Sequence, residues 1–105
     1  MSISFVPFRV SRDRYSAKKM AKPVNFVCNA PGAKRVFLSG DFNDWSTSSH
    51  PMARQPDGAW FLQIQLHHGH HRYRFIVDGE PMLDPKAQGT TRNRNGDEVS
   101  LKSIS

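Results

Sequence analysis

From Pro23 onward, apolar and polar residues alternate in short runs separated by turn residues, and no window repeats apolar residues at the spacing of a helix face. In "VNFVC" the alternation puts Val24, Phe26 and Cys28 on one side; "NAPGAK" ends that run. "RVFLS" follows, with Val36 and Leu38 against Arg35 and Phe37. "AWFLQIQL" is the clearest strand: Trp60, Leu62, Ile64 and Leu66 share one face, Gln63 and Gln65 the other, which makes Trp60 a core residue. "HRYRFIVDG" sends Tyr73, Phe75 and Val77 one way and Arg72, Arg74 and Ile76 the other. The pattern predicts that these two strands form a hairpin connected by "HHGHH".

Asp78-Gly79 is a strong hairpin-turn signal, because both residues accept the left-handed backbone that such a turn needs. "EPMLDP" then returns as a short strand ended by Asp84-Pro85. The segment 86–95 is polar and predicted irregular, and "EVSLKSI" closes the chain as a strand with Val99 and Leu101 directed inward. About seven short antiparallel strands with turns at this spacing predict an all-β, immunoglobulin-like sandwich.

A length of 105 residues allows a single core and no second domain, and 37% hydrophobic with 23% charged residues fits a globular chain. No apolar run approaches the roughly 20 residues of a membrane-spanning helix. The start of the chain reads poorly as a secretory signal, so a cytoplasmic location is expected. The net charge of +6 is unevenly placed: residues 1–22 hold six basic groups and one acidic group, and residues 23–105 hold nine and eight. This divides the chain into a basic N-terminal arm (1–22), flexible or adding an edge strand, and a nearly neutral module (23–105). Nucleic-acid binding is therefore not expected of the module.

Four of the five histidines, His67, His68, His70 and His71, surround Gly69. Neighbours on a strand point to opposite faces, so only His68 and His70 could converge across a turn, and no acidic residue next to them completes a ligand set; no metal site is expected. Cys28 is the only cysteine, which excludes an internal disulfide and a cysteine cage, and its place in the alternation makes it a buried structural residue. No nucleophile elbow, phosphate-cradling glycine loop or carboxylate pair flanking a pocket is visible, so neither enzyme activity nor a cofactor is expected.

The remaining signal is "RVFLSGDFNDW", which carries Trp45 beyond the end of a strand into a turn where alternation no longer demands a large apolar group. The indole either folds over the sandwich edge or offers a flat face to a ligand such as a sugar ring. "VFLSGDFNDW", "DGAWFLQIQL", "YRFIVDG" and "LDP", in that order, resemble the carbohydrate-binding modules of family 48. That glycogen-binding type is known from β subunits of AMP-activated protein kinase and from the N-terminal domains of isoamylases and branching enzymes.

The resemblance covers the chain from about Pro23 to its end. It implies an early-set immunoglobulin-like sandwich that binds α-1,4-glucan (glycogen, starch or malto-oligosaccharides) without acting on it. Trp45 falls on the family's sugar-stacking tryptophan. Arg74 falls on a sugar-binding lysine, and alternation separately places Arg74 opposite the core. Asn93 and Asn95, with Asp97, fall in the loop that supplies polar contacts. Pro81 stands where glycogen binders carry a second tryptophan. The alternative is a protein-interaction module of the same fold, with a kinase or a glucan-metabolising enzyme as partner.

Overall fold

The computed structural model describes residues 21–105. The readings made of the basic arm fall almost entirely outside the described residues; Lys22 opens the first strand. Eight strands follow in order: β1 (Lys22–Asn29), β2 (Val36–Gly40), β3 (Ala53–Arg54), β4 (Ala59–Leu66), β5 (Gly69–Val77), β6 (Glu80–Met82), β7 (Gly89–Arg92) and β8 (Glu98–Ile104). One 3-10 turn, Asp41–Asn43, leaves the end of β2. Every pairing is antiparallel, in one sheet ordered β1-β4-β3 and another ordered β2-β5-β8-β7. The short β6 joins the same edge of β5 that β8 occupies, with Arg74 between the two partners. The all-β sandwich expected from the alternation is the observed fold.

The inward faces are the ones the alternation named. Phe26 and Cys28 of β1, Leu38 of β2, Trp60 of β4 and Tyr73 and Phe75 of β5 are buried in one cluster between the sheets. Phe26 meets Tyr73 edge-on across the sandwich, with ring centres 4.9 Å apart, a geometry that aromatic quadrupoles favour. The Trp60 indole N–H donates to the Ala30 carbonyl at 2.9 Å, so its one polar atom is satisfied inside. Burial, reinforced by nearby Asp84, pushes the Cys28 thiol up to about 11, consistent with a structural cysteine.

Three expectations need correction. β4 and β5 are not a hairpin: β4 pairs with β1 and β3, while β5 pairs with β2, β6 and β8. The chain crosses between sheets at His67 and His68, and His70 and His71 belong to β5. Alternation tells which face of a strand is apolar but not which strand lies beside it, and two strongly apolar faces bury more surface on opposite sheets. In β8 the inward residues are not Val99 and Leu101. Ser100 pairs with Tyr73 and shares its core-facing side, and Leu101 pairs with Arg72.

Buried Ser100 is tolerated because its hydroxyl accepts the Asp84 backbone N–H at 2.8 Å. Val99 is fully buried, but on the other face of the sheet. Finally, the segment expected to be irregular contains β7, whose Gly89–Arg92 pairs with β8. Its polar threonines conceal the strand from a reading based on hydrophobicity.

Candidate functional site

Each residue of "GDFNDW" has a mechanical part in displaying Trp45. Gly40 is extended, so its requirement is space: a Cβ there would stand 2.4 Å from the Phe42 ring and 2.7 Å from the Arg72 carbonyl oxygen. Asp41 accepts the Arg72 backbone N–H at 3.0 Å, tying the turn to β5. Phe42 packs against the core, its ring centre 6.2 Å from that of Phe26.

Asn43 closes the knot. Its Oδ1 accepts the Gly40 N–H at 3.0 Å, and its Nδ2 donates to the Leu38 carbonyl at 3.0 Å and lies 3.0 Å from His50 Nδ1. Asp44 and Trp45 then both adopt left-handed backbone, with φ of 55° and 59°. For a bulky residue this conformation costs on the order of 1–2 kcal/mol and persists only where the surroundings impose it. Here the Trp45 N–H is held by the Gly40 carbonyl at 2.8 Å.

The result is a half-buried indole on the outer face of the β2-β5-β8-β7 sheet. Arg74 places its guanidinium 5.8 Å from the Trp45 ring centre. The same guanidinium lies 3.7 Å from the Asp97 carboxylate, and its Nε is buried without a hydrogen-bond partner. Arg74 thus connects the Trp45 loop to the turn between β7 and β8.

That turn is folded by Asn93, whose Oδ1 accepts the backbone N–H groups of Asn95 and Asp97, each at 3.0 Å, while its own N–H donates to the Asp97 carbonyl at 2.9 Å. The oxygen of the Asn93 amide is committed to the turn, and its NH2 makes no hydrogen bond among the described residues. The side chain of Asn95 is likewise unengaged there.

Between loop and turn lies a cleft of about 330 Å³, lined by Trp45, Asn93 and Asn95 together with Asp41, Asp44, Arg72 and Arg94. Three of the residues singled out from the sequence, Trp45, Asn93 and Asn95, therefore meet in one place. Arg74 does not line the cleft; it stands against the tryptophan. Arg72, Arg94, Asp41 and Asp44 were not singled out. The shared outward face of Arg72 and Arg74 carried a signal for the first, whereas Arg94 arrives only through the fold of the turn.

The lining is matched in charge, two arginines against two aspartates, and presents donors and acceptors around one aromatic ring. Such a set suits a neutral polyhydroxylated ligand. Elsewhere, Pro81 is exposed on β6, paired with Ile76, and so lies on the same face as Arg74. Among the described residues no three His, Cys, Asp or Glu side chains gather in a way that could hold a metal, and no helix is long and apolar enough to cross a membrane.

A family profile described as the glycogen recognition site of AMP-activated protein kinase matches residues 22–105. The chain belongs to that family. Among its relatives is the 5'-AMP-activated protein kinase subunit beta-2 of Mus musculus, 35% identical over 82 residues, which are 77% of this chain and 29% of that protein. Another is the 1,4-alpha-glucan branching enzyme GlgB 2 of Xanthomonas oryzae pv. oryzae, 39% identical over 72 residues, 64% of this chain and 10% of the enzyme. A third, the branching enzyme GlgB of Burkholderia pseudomallei (strain 668), is 45% identical over 55 residues, 51% of this chain and 8% of the enzyme. The chain spans less than a third of the length of each. The kinship read from the four motifs is therefore borne out, and with it membership of a glycogen-recognition family.

Proposed function

We propose that this module binds α-1,4-glucan, as glycogen, starch or malto-oligosaccharide, and does so without catalysis. The observation that carries the reading is the meeting of Trp45, Asn93 and Asn95 in a single cleft, within a family described by glycogen recognition. Trp45 stacks on a sugar ring with its open face, while Arg74 holds the ring from its other side. Hydroxyl groups are taken by the Asn93 NH2, the Asn95 amide, Arg72 and Arg94, with Asp44 accepting.

One aromatic platform with a few polar contacts supports a dissociation constant on the order of 0.1–1 mM. Calorimetric or NMR titration with maltoheptaose and β-cyclodextrin, with Trp45→Ala alongside, tests this. Saturable binding that the substitution abolishes is the expected result; binding that survives it overturns the site.

A second reading is favoured by the similarity to the mouse kinase subunit over 77% of this chain. In it, the module (23–105) and the basic arm (1–22) act as an adaptor that docks on a kinase or a glucan-metabolising enzyme. A partner recovered by pull-down, indifferent to maltoheptaose and lost on deleting residues 1–22, supports it. The two readings are compatible, since such a protein can tether a partner to a glucan particle.

A further inference from the structure

A second depression, of about 620 Å³, lies beside the Trp45 cleft at the open end of the sandwich, where its lining includes Asp41, Phe42, Gln65, His70 and His71. Asp41 borders both spaces. The histidine-rich stretch that opens β5 is thus beside the cleft and not at a remote hairpin tip.

The groups in this depression are held in place. His71 Nε2 lies 2.8 Å from the His67 carbonyl oxygen, which can only accept, so Nε2 carries the proton and Nδ1 faces Asp41 at 3.5 Å. The imidazole is also edge-on to Phe42, with ring centres 6.3 Å apart. Its orientation is therefore fixed by the His67 carbonyl and by the Phe42 ring. Around it, Gln65 makes no side-chain hydrogen bond among the described residues, and exposed His70 is steadied by Ser103 Oγ at 2.7 Å. Two flat rings with an amide and an imidazole at the rim match the mixed apolar and hydroxyl surface of a sugar.

At the opposite side of the cleft the match is poor. Pro81 lies beyond Arg74 and offers no aromatic ring to stack on. Past Asp41, a glucan longer than the cleft meets further aromatic surface in Phe42 and His71. That carboxylate has about four lone-pair sites, and one is taken by the Arg72 N–H. It has capacity left for hydroxyls on either side.

We infer that the depression formed by Phe42, Gln65, His70 and His71 is an extension subsite, taking the next glucose units of an α-glucan chain that leaves Trp45 across Asp41. This inference rests on the glucan reading of the Trp45 cleft. It assigns the polar and aromatic lining of this depression a role that the missing second ring at Pro81 leaves open.

The test titrates the full chain with maltotriose and with maltoheptaose, following backbone amide shifts. The variants are Gln65→Ala/His70→Ala, both at exposed positions, and separately His71→Ala. Amides of residues 65–71 are expected to shift with maltoheptaose and not with maltotriose. The double variant is expected to weaken maltoheptaose ~3–10-fold, the scale of one or two lost hydrogen bonds, and to leave maltotriose unchanged. Unmoved amides at 65–71, or equal maltoheptaose affinity in all variants, overturns the extension when Trp45→Ala still abolishes binding of both sugars. Binding of both sugars by Trp45→Ala overturns the cleft reading itself, and the extension with it.

Discussion

Trp60 and Trp45 are the only tryptophans in the chain, and each has an arginine carbon 5.8 Å from its ring centre, Arg54 for the first and Arg74 for the second. The cationic neighbour therefore does not distinguish them. Trp60 stands on a strand, points inward with its register mates, and is 6% exposed with its N–H bonded to Ala30. Trp45 stands in a loop at φ 59°, is half-buried, and shares a cleft with the Asn93 NH2, the Asn95 amide and the guanidinium groups of Arg72 and Arg94. The contrast shows how one side chain is packed into the core where the backbone is regular and is left in a surface cleft where the backbone is forced out of regularity; on the glucan reading proposed above, that cleft is where it serves recognition. The left-handed stretch at Asp44 and Trp45 holds the indole out of the core.

The comparison can be broken most directly at Trp60. Trp60→Ala is expected to cost about 3–5 kcal/mol, the range for emptying a large aromatic site, read as a loss of denaturant midpoint. Gly40→Ala comes next, at about 1–3 kcal/mol, because a methyl group there meets backbone as well as the Phe42 ring. It should also weaken glucan binding by disturbing the turn that carries Trp45, so a variant that unfolds normally and binds normally would contradict the account of that turn.

Trp45→Ala inverts the Trp60 result: binding is lost while stability stays within about 1 kcal/mol, since the half-buried indole leaves no closed cavity behind and its contact with Arg74 is worth about 0.5–1 kcal/mol. Equilibrium unfolding and sugar titration on the same sample decide it. The smallest effect is expected at the Asp78-Gly79 turn. Backbone N–H groups of Arg35 and Lys34 hold the Asp78 carboxyl below its usual range. Its contribution is therefore present at neutral pH and lost as pH falls from about 3.9 through the lowered folded value. Asp78→Asn should lower the melting temperature slightly at pH 7, with the gap from the parent closing in acid and glucan binding untouched.

Most of the sandwich was legible in the alternation. Val24, Phe26, Cys28, Leu38, Trp60, Tyr73 and Phe75 face inward as the pattern indicates, and Asp78-Gly79 makes the expected turn with φ of 49° and 88°. The pattern failed where the deciding interaction was not apolar. In β8, Ser100 takes the core side because Asp84 bonds its hydroxyl, and Val99 is buried on the far face. The separation of β4 and β5 was hidden for a different reason: period-two alternation carries no record of the partner strand.

The cleft divides the same way. Trp45 was conspicuous because it follows a turn where no core demand explains it, and the glycine, asparagine and aspartates around it announce that turn. Arg72 and Arg94 were not conspicuous, since outward arginines on strands and turns are ordinary. Their proximity is made by the pairing of β5 with β8 and by the Asn93 amide folding the following turn.

The sequence alone determined the strand periodicity, the core residues of β1, β2, β4 and β5, the turn at Asp78 and kinship with a glycogen-recognition family, because each is written in short local stretches of the chain. Tertiary structure alone decided that Arg74 stands against Trp45 rather than in the cleft, that Asn93 spends its oxygen and keeps its NH2, and that Asp41 joins the cleft to the histidines. These depend on which strands lie side by side and how far their loops reach, and pairing across 20 to 50 residues of chain leaves no local pattern to read.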